Sequence, residues 1–233
     1  MNSPRVLRAA IERLARNRRI RKRLPNGVHI YVSPDSQLKY LSGEFDQALV
    51  ELAKTHVNPQ SSVWDIGSNC GVFAFSCAGA ARIMAVEPDP FLSNMLRDSS
   101  AMNGVALNVV TAAVSSSRGL EELSIAARGR ASNFLTKSGG GSQTGGVRGA
   151  LTVPTVTMDD LLAKFGPPTF VKIDVEGGEL DVFRGAGELL GTARPTIYFE
   201  ALQDADACRR ILADAGYRVE RADGENWLAT PGA

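Results

Sequence analysis

From residue 61 to residue 215 the chain alternates short, nearly continuous apolar runs with amphipathic stretches of helical length, and this rhythm limits its folds more than any other feature. Strands are predicted at 63–66, 82–86, 107–114, 170–175 and 196–200, and helices at 71–81, 90–102, 179–190 and 205–215. A run such as Val63-Trp64-Asp65-Ile66 reads as a strand buried on both faces, the pattern of parallel sheets rather than half-solvated antiparallel ones. Two further runs, 217–220 and 227–230, are expected to close the sheet as a terminal hairpin. Right-handed crossovers then favour a doubly wound α/β architecture: one mostly parallel, seven-stranded sheet with helices on both faces.

Two segments stand outside the rhythm. Residues 1–58 are expected to supply a basic helix at 6–20, a turn at Asn26-Gly27, a strand at 28–32 and a helix at 44–55, leading into a core domain at 59–233. The first 23 residues hold nine Lys and Arg against one acid, Glu12, although the whole chain carries a formal net charge of only +1. One arginine-rich helix without interleaved aromatics reads as a solvated basic face, so no nucleic-acid partner is expected. Peripheral contact with anionic lipid through this helix is the alternative. The second segment, about 126–150, is rich in Gly, Ser, Thr and Arg and too polar to build a core. It is read as a long loop, either a loose insertion or a lid over a substrate site.

Several chemistries are set aside by what the chain lacks. Cys70, Cys77 and Cys208 are odd in number and have no zinc-type spacing, so they read as reduced thiols of a cytoplasmic protein. With only His29 and His56 in the sequence, sites that need several imidazoles are excluded. No apolar run is long enough to span a bilayer as a helix, and no secretory signal pattern is recognised.

The residues that carry chemistry fall at strand ends. The first strand runs into Asp65-Ile66-Gly67-Ser68-Asn69-Cys70-Gly71, a tight turn that opens a helix at the carboxyl edge of the sheet, where open α/β sheets bind ligands. Asn69 stands where a dinucleotide fingerprint has its second glycine, and no Walker sequence is present, so the ligand is expected to be a nucleoside without phosphates. The amides of the turn are expected to face it. Glu87, in Val86-Glu87-Pro88-Asp89-Pro90, lies 22 residues beyond Asp65 at the next strand end, a place suited to holding both hydroxyls of an unphosphorylated ribose. Val171-Lys172-Ile173-Asp174-Val175-Glu176-Gly177-Gly178-Glu179 puts Lys172 and Asp174 on one face of a central strand, where such groups need partners. Glu200 ends the following strand at the same edge. Asp65, Glu87 and Asp174 are expected to share one cleft. For Glu179, pairing with the N-terminus of its own helix suffices.

In order, VWDIGSNCGVF, AVEPDP, AAVS, VTMDDLL, VKIDVEGGELDVFRGAGELL and RPTIYFEA resemble the FkbM family of methyltransferases from about residue 61 to residue 201. The resemblance implies a Rossmann-like class I methyltransferase that uses S-adenosyl-L-methionine and methylates a hydroxyl of a sugar, polyketide or other small metabolite. The alternatives are a non-catalytic module that only binds S-adenosylmethionine, or another acceptor such as a glycan or lipid-linked sugar. It also implies that Asp65, Gly67, Asn69 and Gly71 line the methionine part of the cofactor, with Glu87 at the ribose and Ala113 near adenine, and that Ser68 and Pro88 belong to the cofactor-binding set. Asp174 and Glu176 would face the transfer site, Asp174 also touching the cofactor. Ser68 replaces the family's usual Ala, and the glycine-rich segment has no counterpart in the pattern. Asp174 is the first candidate for general base, with Glu176 and Glu200 as alternates. A divalent cation held by these carboxylates is the competing arrangement, and no metal is assigned.

Overall fold

The computed structural model describes residues 17–41, 45–139, 144–201 and 203–232. The expected helix at 6–20 lies mostly outside them. Its last residues are not helical: Asn17 has φ 58° and Ile20 begins a strand.

Two short strands, β1 (Ile20–Arg23) and β2 (His29–Val32), form an antiparallel hairpin around Asn26-Gly27. Helix α1 (Gln47–His56) follows, and then the alternating core begins. Its strands are β3 (Ser62–Ile66), β4 (Arg82–Val86), β5 (Leu107–Val110), β10 (Phe170–Ile173), β11 (Thr196–Glu200), β12 (Tyr217–Asp223) and β13 (Asn226–Pro231). They form one seven-stranded sheet in the order β12-β13-β11-β10-β3-β4-β5. The four pairings among β11, β10, β3, β4 and β5 are parallel. Only β13 runs against the others, because it pairs antiparallel with both β11 and β12. The sheet is therefore mixed, with a single reversed strand contributed by the terminal hairpin.

Strand alternation divides the core into two layers. Trp64, Ile66, Val171, Ile173, Ile197 and Phe199 face helices α4 (Met158–Phe165), α5 (Glu179–Arg184) and α6 (Ala205–Asp214). Val63, Ile83, Ala85 and Phe170 face α1, α2 (Val72–Ser76), α3 (Pro90–Asn103) and the β1–β2 hairpin, whose Ile30 and Val32 are wholly buried. β3 and β10 are buried on both faces, as apolar runs of central parallel strands require. Helix α3 begins where Asp89 caps it through Phe91 N and stops at Gly104, which adopts φ 63°.

Several boundaries differ from expectation. The run 107–114 breaks at Thr111-Ala112: Leu107–Val110 stays in the main sheet, while β6 (Ala113–Val114) turns into a second one. That sheet, in the order β6-β9-β7-β8, also contains β7 (Gly119–Ala126), β8 (Phe134–Leu135) and β9 (Val147–Val156). The glycine-rich segment is thus partly ordered structure, with a small apolar cluster of Ala113, Leu123, Ile125, Leu135 and Val153 beneath it. The helix expected at 179–190 is interrupted after Arg184, where Gly185 lies so close to the 115–116 turn that a Cβ there would sit 2.4 Å from Ser115 O, and helical structure resumes at 187–193. The helix expected at 71–81 closes after one turn, at Ser76.

Candidate active site

Two adjoining clefts open at the carboxyl ends of β3, β4, β10 and β11. The first lies over the ends of β3, β4 and β10. Its walls combine the apolar Ile66, Val86, Ala113, Leu135 and Val175 with polar groups that include Glu87, Asn69 and Asp174. The second is more polar and is lined by Tyr40, Asp46, Lys172 and Glu200 among others. Gln37, Gly67, Asn69, Ala131, Asp174 and Glu176 border both.

The turn after β3 shapes the junction. Gly67 has φ 75°, and a Cβ at this position would lie 1.8 Å from Asp174 O, so only glycine lets the two strand ends meet. The amides of Gly67 and Ser68 donate to Val86 O, at 2.9 and 3.1 Å, and that of Asn69 donates to Glu87 Oε2 at 2.9 Å. These amides therefore bind the end of β4 and do not face the cleft, contrary to expectation. Gly71, φ 83°, is pressed against Leu96 and Phe75 and lines neither cleft. Ser68 is buried, donates from Oγ to Asp65 O at 2.6 Å, and reaches the second cleft.

Asp65 does not share the cleft of Glu87 and Asp174. Strand parity places its carboxylate on the inner face with Val63, where it is fully buried and accepts from Ala74 N at 3.2 Å. Across the β3–β10 register it faces Lys172, whose Nζ lies 3.2 Å from Asp65 Oδ1, an ion-pair distance without hydrogen-bond alignment. The same ammonium is 3.3 Å from Asp174 Oδ2 and donates to Gly67 O at 3.0 Å. Burial alone would lower the Lys172 pKa, but Asp174 and Asp65 outweigh it and keep the lysine charged. Burial raises the Asp65 pKa, and Lys172 opposes that shift. One cation thus ties the first turn to Asp174.

Glu87 is the buried acid of the first cleft. Its second oxygen accepts from Asp89 N at 2.9 Å, and burial pushes its pKa up to about 8. Each carboxylate oxygen has one amide partner and keeps accepting capacity for a hydroxyl. Glu176 is held with φ 57°, an uncommon conformation for a side-chain-bearing residue. Burial, then Asp174 and Glu200, raise its pKa to about 8. Glu200 is raised to about 7 by burial and then Asp174. Glu179 is buried and accepts from Val175 N and Gly177 N at 3.2 Å each, and its charge adds to the rise at Glu176 and Glu200. Among the described residues no group of three or more His, Cys, Asp or Glu is arranged to hold a metal ion.

The first cleft is roofed by Leu123, Arg130, Ala131, Asn133, Phe134 and Leu135, five of them from the segment read as a loose insertion or a lid, although the sequence singled out none of these residues. Gln37 and Tyr40, contributed from the segment before α1, were likewise not singled out. Pro88 and Ala113 do line the first cleft. His56 stacks on Phe170 at 5.3 Å and borders neither cleft.

The fold is that of the α/β methyltransferases. A tRNA (uracil-54, C5)-methyltransferase of Pyrococcus abyssi, solved with S-adenosyl-L-homocysteine, superposes with a TM-score of 0.50 at 14% identity, over 91% of this chain and 43% of its own. The chain belongs to the FkbM methyltransferase domain family, whose model matches residues 65–219, and with that family it is a methyltransferase. The hexuronic acid methyltransferase AglP of Haloferax volcanii is 29% identical over 187 residues, 79% of this chain and 74% of that protein. An FkbM methyltransferase of Methylobacillus flagellatus is 17% identical with a TM-score of 0.49, and this chain, matched over 77%, spans half the length of that one.

Proposed function

We propose that this protein transfers a methyl group from S-adenosylmethionine to a hydroxyl of a saccharide, and that the acceptor is an acidic sugar. The observation that carries the reading is the pair of clefts: a less polar one with a buried carboxylate at its strand end, meeting a more polar one at Asp174 and Glu176. The first suits a nucleoside. Glu87 keeps free acceptor capacity for ribose hydroxyls, and Ala113 and Leu135 offer apolar contact to a base. Arg130, the arginine on this wall, is engaged by Asp35 and Asp89, so it is not spare for a phosphate. Family membership and the likeness to AglP support the cofactor and the acidic-sugar acceptor respectively.

S-adenosylmethionine supplies a methyl group on a cationic sulfur, which leaves without acid assistance. The residues here need only hold a hydroxyl in line and take its proton. Asp174, fixed by Lys172, orients the acceptor at the junction of the clefts. Asp174 has a cationic partner, whereas Glu176 carries the raised pKa of a base poised near neutrality. We therefore assign proton removal to Glu176, with Glu200 beside the acceptor, and shift the leading role from Asp174. Three buried free cysteines favour a cytoplasmic enzyme. Among the described residues no helix is long and apolar enough to cross a membrane.

The test is transfer of labelled methyl from S-adenosylmethionine to glucuronosides and matched neutral glucosides, with and without a chelator. Transfer to the glucuronosides in the presence of chelator is expected. Binding of S-adenosylhomocysteine without transfer to any hydroxyl would leave a binding module and end the catalytic reading.

A further inference from the structure

The glycine-rich segment carries a buried network of charges that the reaction does not use. Gly129 crosses the chain so closely that a Cβ there would sit 2.6 Å from Ser36 O. Arg130 N donates to Asp35 O at 2.7 Å, and its Nε reaches Asp35 Oδ2 at 2.9 Å. Arg148 grips the same carboxylate with both terminal guanidinium nitrogens, at 2.6 and 2.9 Å. The other end of Arg130 pairs with Asp89 and lies over the Phe91 ring, 4.7 Å from its centre. Asp35 and Asp89 are 5% and 0% exposed, so this is a neutralised set of two acids and two arginines inside the protein. Forked arginine contacts of this kind fix geometry as well as charge.

Asp89 is the link to the cofactor cleft. Its backbone N–H holds Glu87 Oε1, its Oδ1 caps α3 through Phe91 N, and its Oδ2 receives Arg130 and Asn133. We propose that Arg130 is a positioning residue for cofactor binding: through Asp89 it fixes the Glu87 carboxylate, and through Asp35 it seats the roof over the nucleoside. The segment that reads as a loose loop is thereby clamped to the start of α3. This rests on the assignment of the first cleft to S-adenosylmethionine.

Calorimetry with S-adenosylhomocysteine tests both layers separately. If the wild-type protein fails to bind it, the assignment of the cleft falls. Given wild-type binding, Arg130→Met is expected to raise Kd about tenfold. Arg130→Lys should recover part of the loss, and kcat at saturating cofactor should stay within about twofold of wild type. Arg148→Met, which borders neither cleft, should raise Kd about threefold by loosening Asp35. Arg118→Met, removing an exposed pair with Asp160, should leave Kd unchanged. An effect of Arg130→Met beside none of Arg148→Met means direct ligand contact and overturns the proposal. So does an unchanged Kd in Arg130→Met. Should Arg130→Met fail to fold, Arg148→Met decides alone: an unchanged Kd refutes the positioning role.

Discussion

A methyl group added at Gly67 would meet the carbonyl of Asp174 and would also have to adopt a positive φ. Gly67→Ala is therefore expected to cost about 2 kcal/mol or more, from overpacking and left-handed backbone together. It should also abolish S-adenosylhomocysteine binding, read by thermal shift. At Glu176 the expected effect is on pH dependence. A carboxyl with its pKa at about 8 accepts a proton only when ionised, so kcat/KM should rise with pH through that value and level off above it. Glu176→Gln should remove that rise and lower the rate by about 100-fold or more, whereas Glu200→Gln should lower it less. A profile in Glu176→Gln that matches the wild type would return the base role to Asp174. At this scale the sequence was informative about residue type and place. Glu87, Asp174 and Glu176 stand at the strand ends where they were expected. The burial of Asp65 beneath α2 was not anticipated: β3 is buried on both faces, so parity with Val63 fixes which side the carboxylate takes but not whether the strand end opens to the cleft. The pairing of Arg130 with Asp35, 95 residues away, leaves no local trace.

Among the elements, the legible ones are those whose pattern comes from burial on both faces. β3, β4, β10 and β11 appear within two residues of their expected ends because continuous apolar runs admit few other structures. β7 and β9 were not foreseen, and their residues explain why. β9 contains Gly149 and Pro154, both unfavourable in strands, and most of it is exposed. β7 opens with Gly119, an exposed Leu120 and two acids before its buried half begins. The pair is held instead by its long antiparallel register, Gly119↔Thr155 to Ala126↔Val147, and by the small cluster around Leu123. Leu123 is 1% exposed and also lines the first cleft. Leu123→Ala should therefore cost about 2–5 kcal/mol in denaturant unfolding. It should also weaken S-adenosylhomocysteine binding, because β8, and with it Phe134 and Leu135, loses its support. A loss of stability with unchanged affinity would separate this sheet from the cofactor cleft.

For the whole molecule, the buried acids set stability and activity against each other. Glu87 and Glu176 titrate at about 8 and Glu200 at about 7, each raised chiefly by burial. Between about pH 5 and pH 8 the folded protein therefore holds protons that the unfolded chain has already released, and its stability falls as pH rises through that window. Asp35 and Asp160 act in the opposite sense. Burial works against Asp35, but Arg148 and Arg130 prevail and lower its pKa, and Arg118 lowers that of Asp160. Their contribution is present above the ordinary carboxylate range and is lost as pH falls below it. The ligand-free protein should consequently be most stable near pH 5 and lose on the order of 1 kcal/mol per pH unit between about pH 5 and 7, once solvent screening of the partly exposed Glu176 and Glu200 is allowed for. Urea unfolding at several pH values measures the slope, and Glu87→Gln or Glu176→Gln should flatten it while raising stability at pH 8. Methyl transfer needs Glu176 ionised, so the rate should climb over the same interval in which the empty protein weakens. A stability curve that rises from pH 5 to pH 8 would mean that these carboxyls are already charged in the folded state, and the proton acceptor would then have to be sought elsewhere.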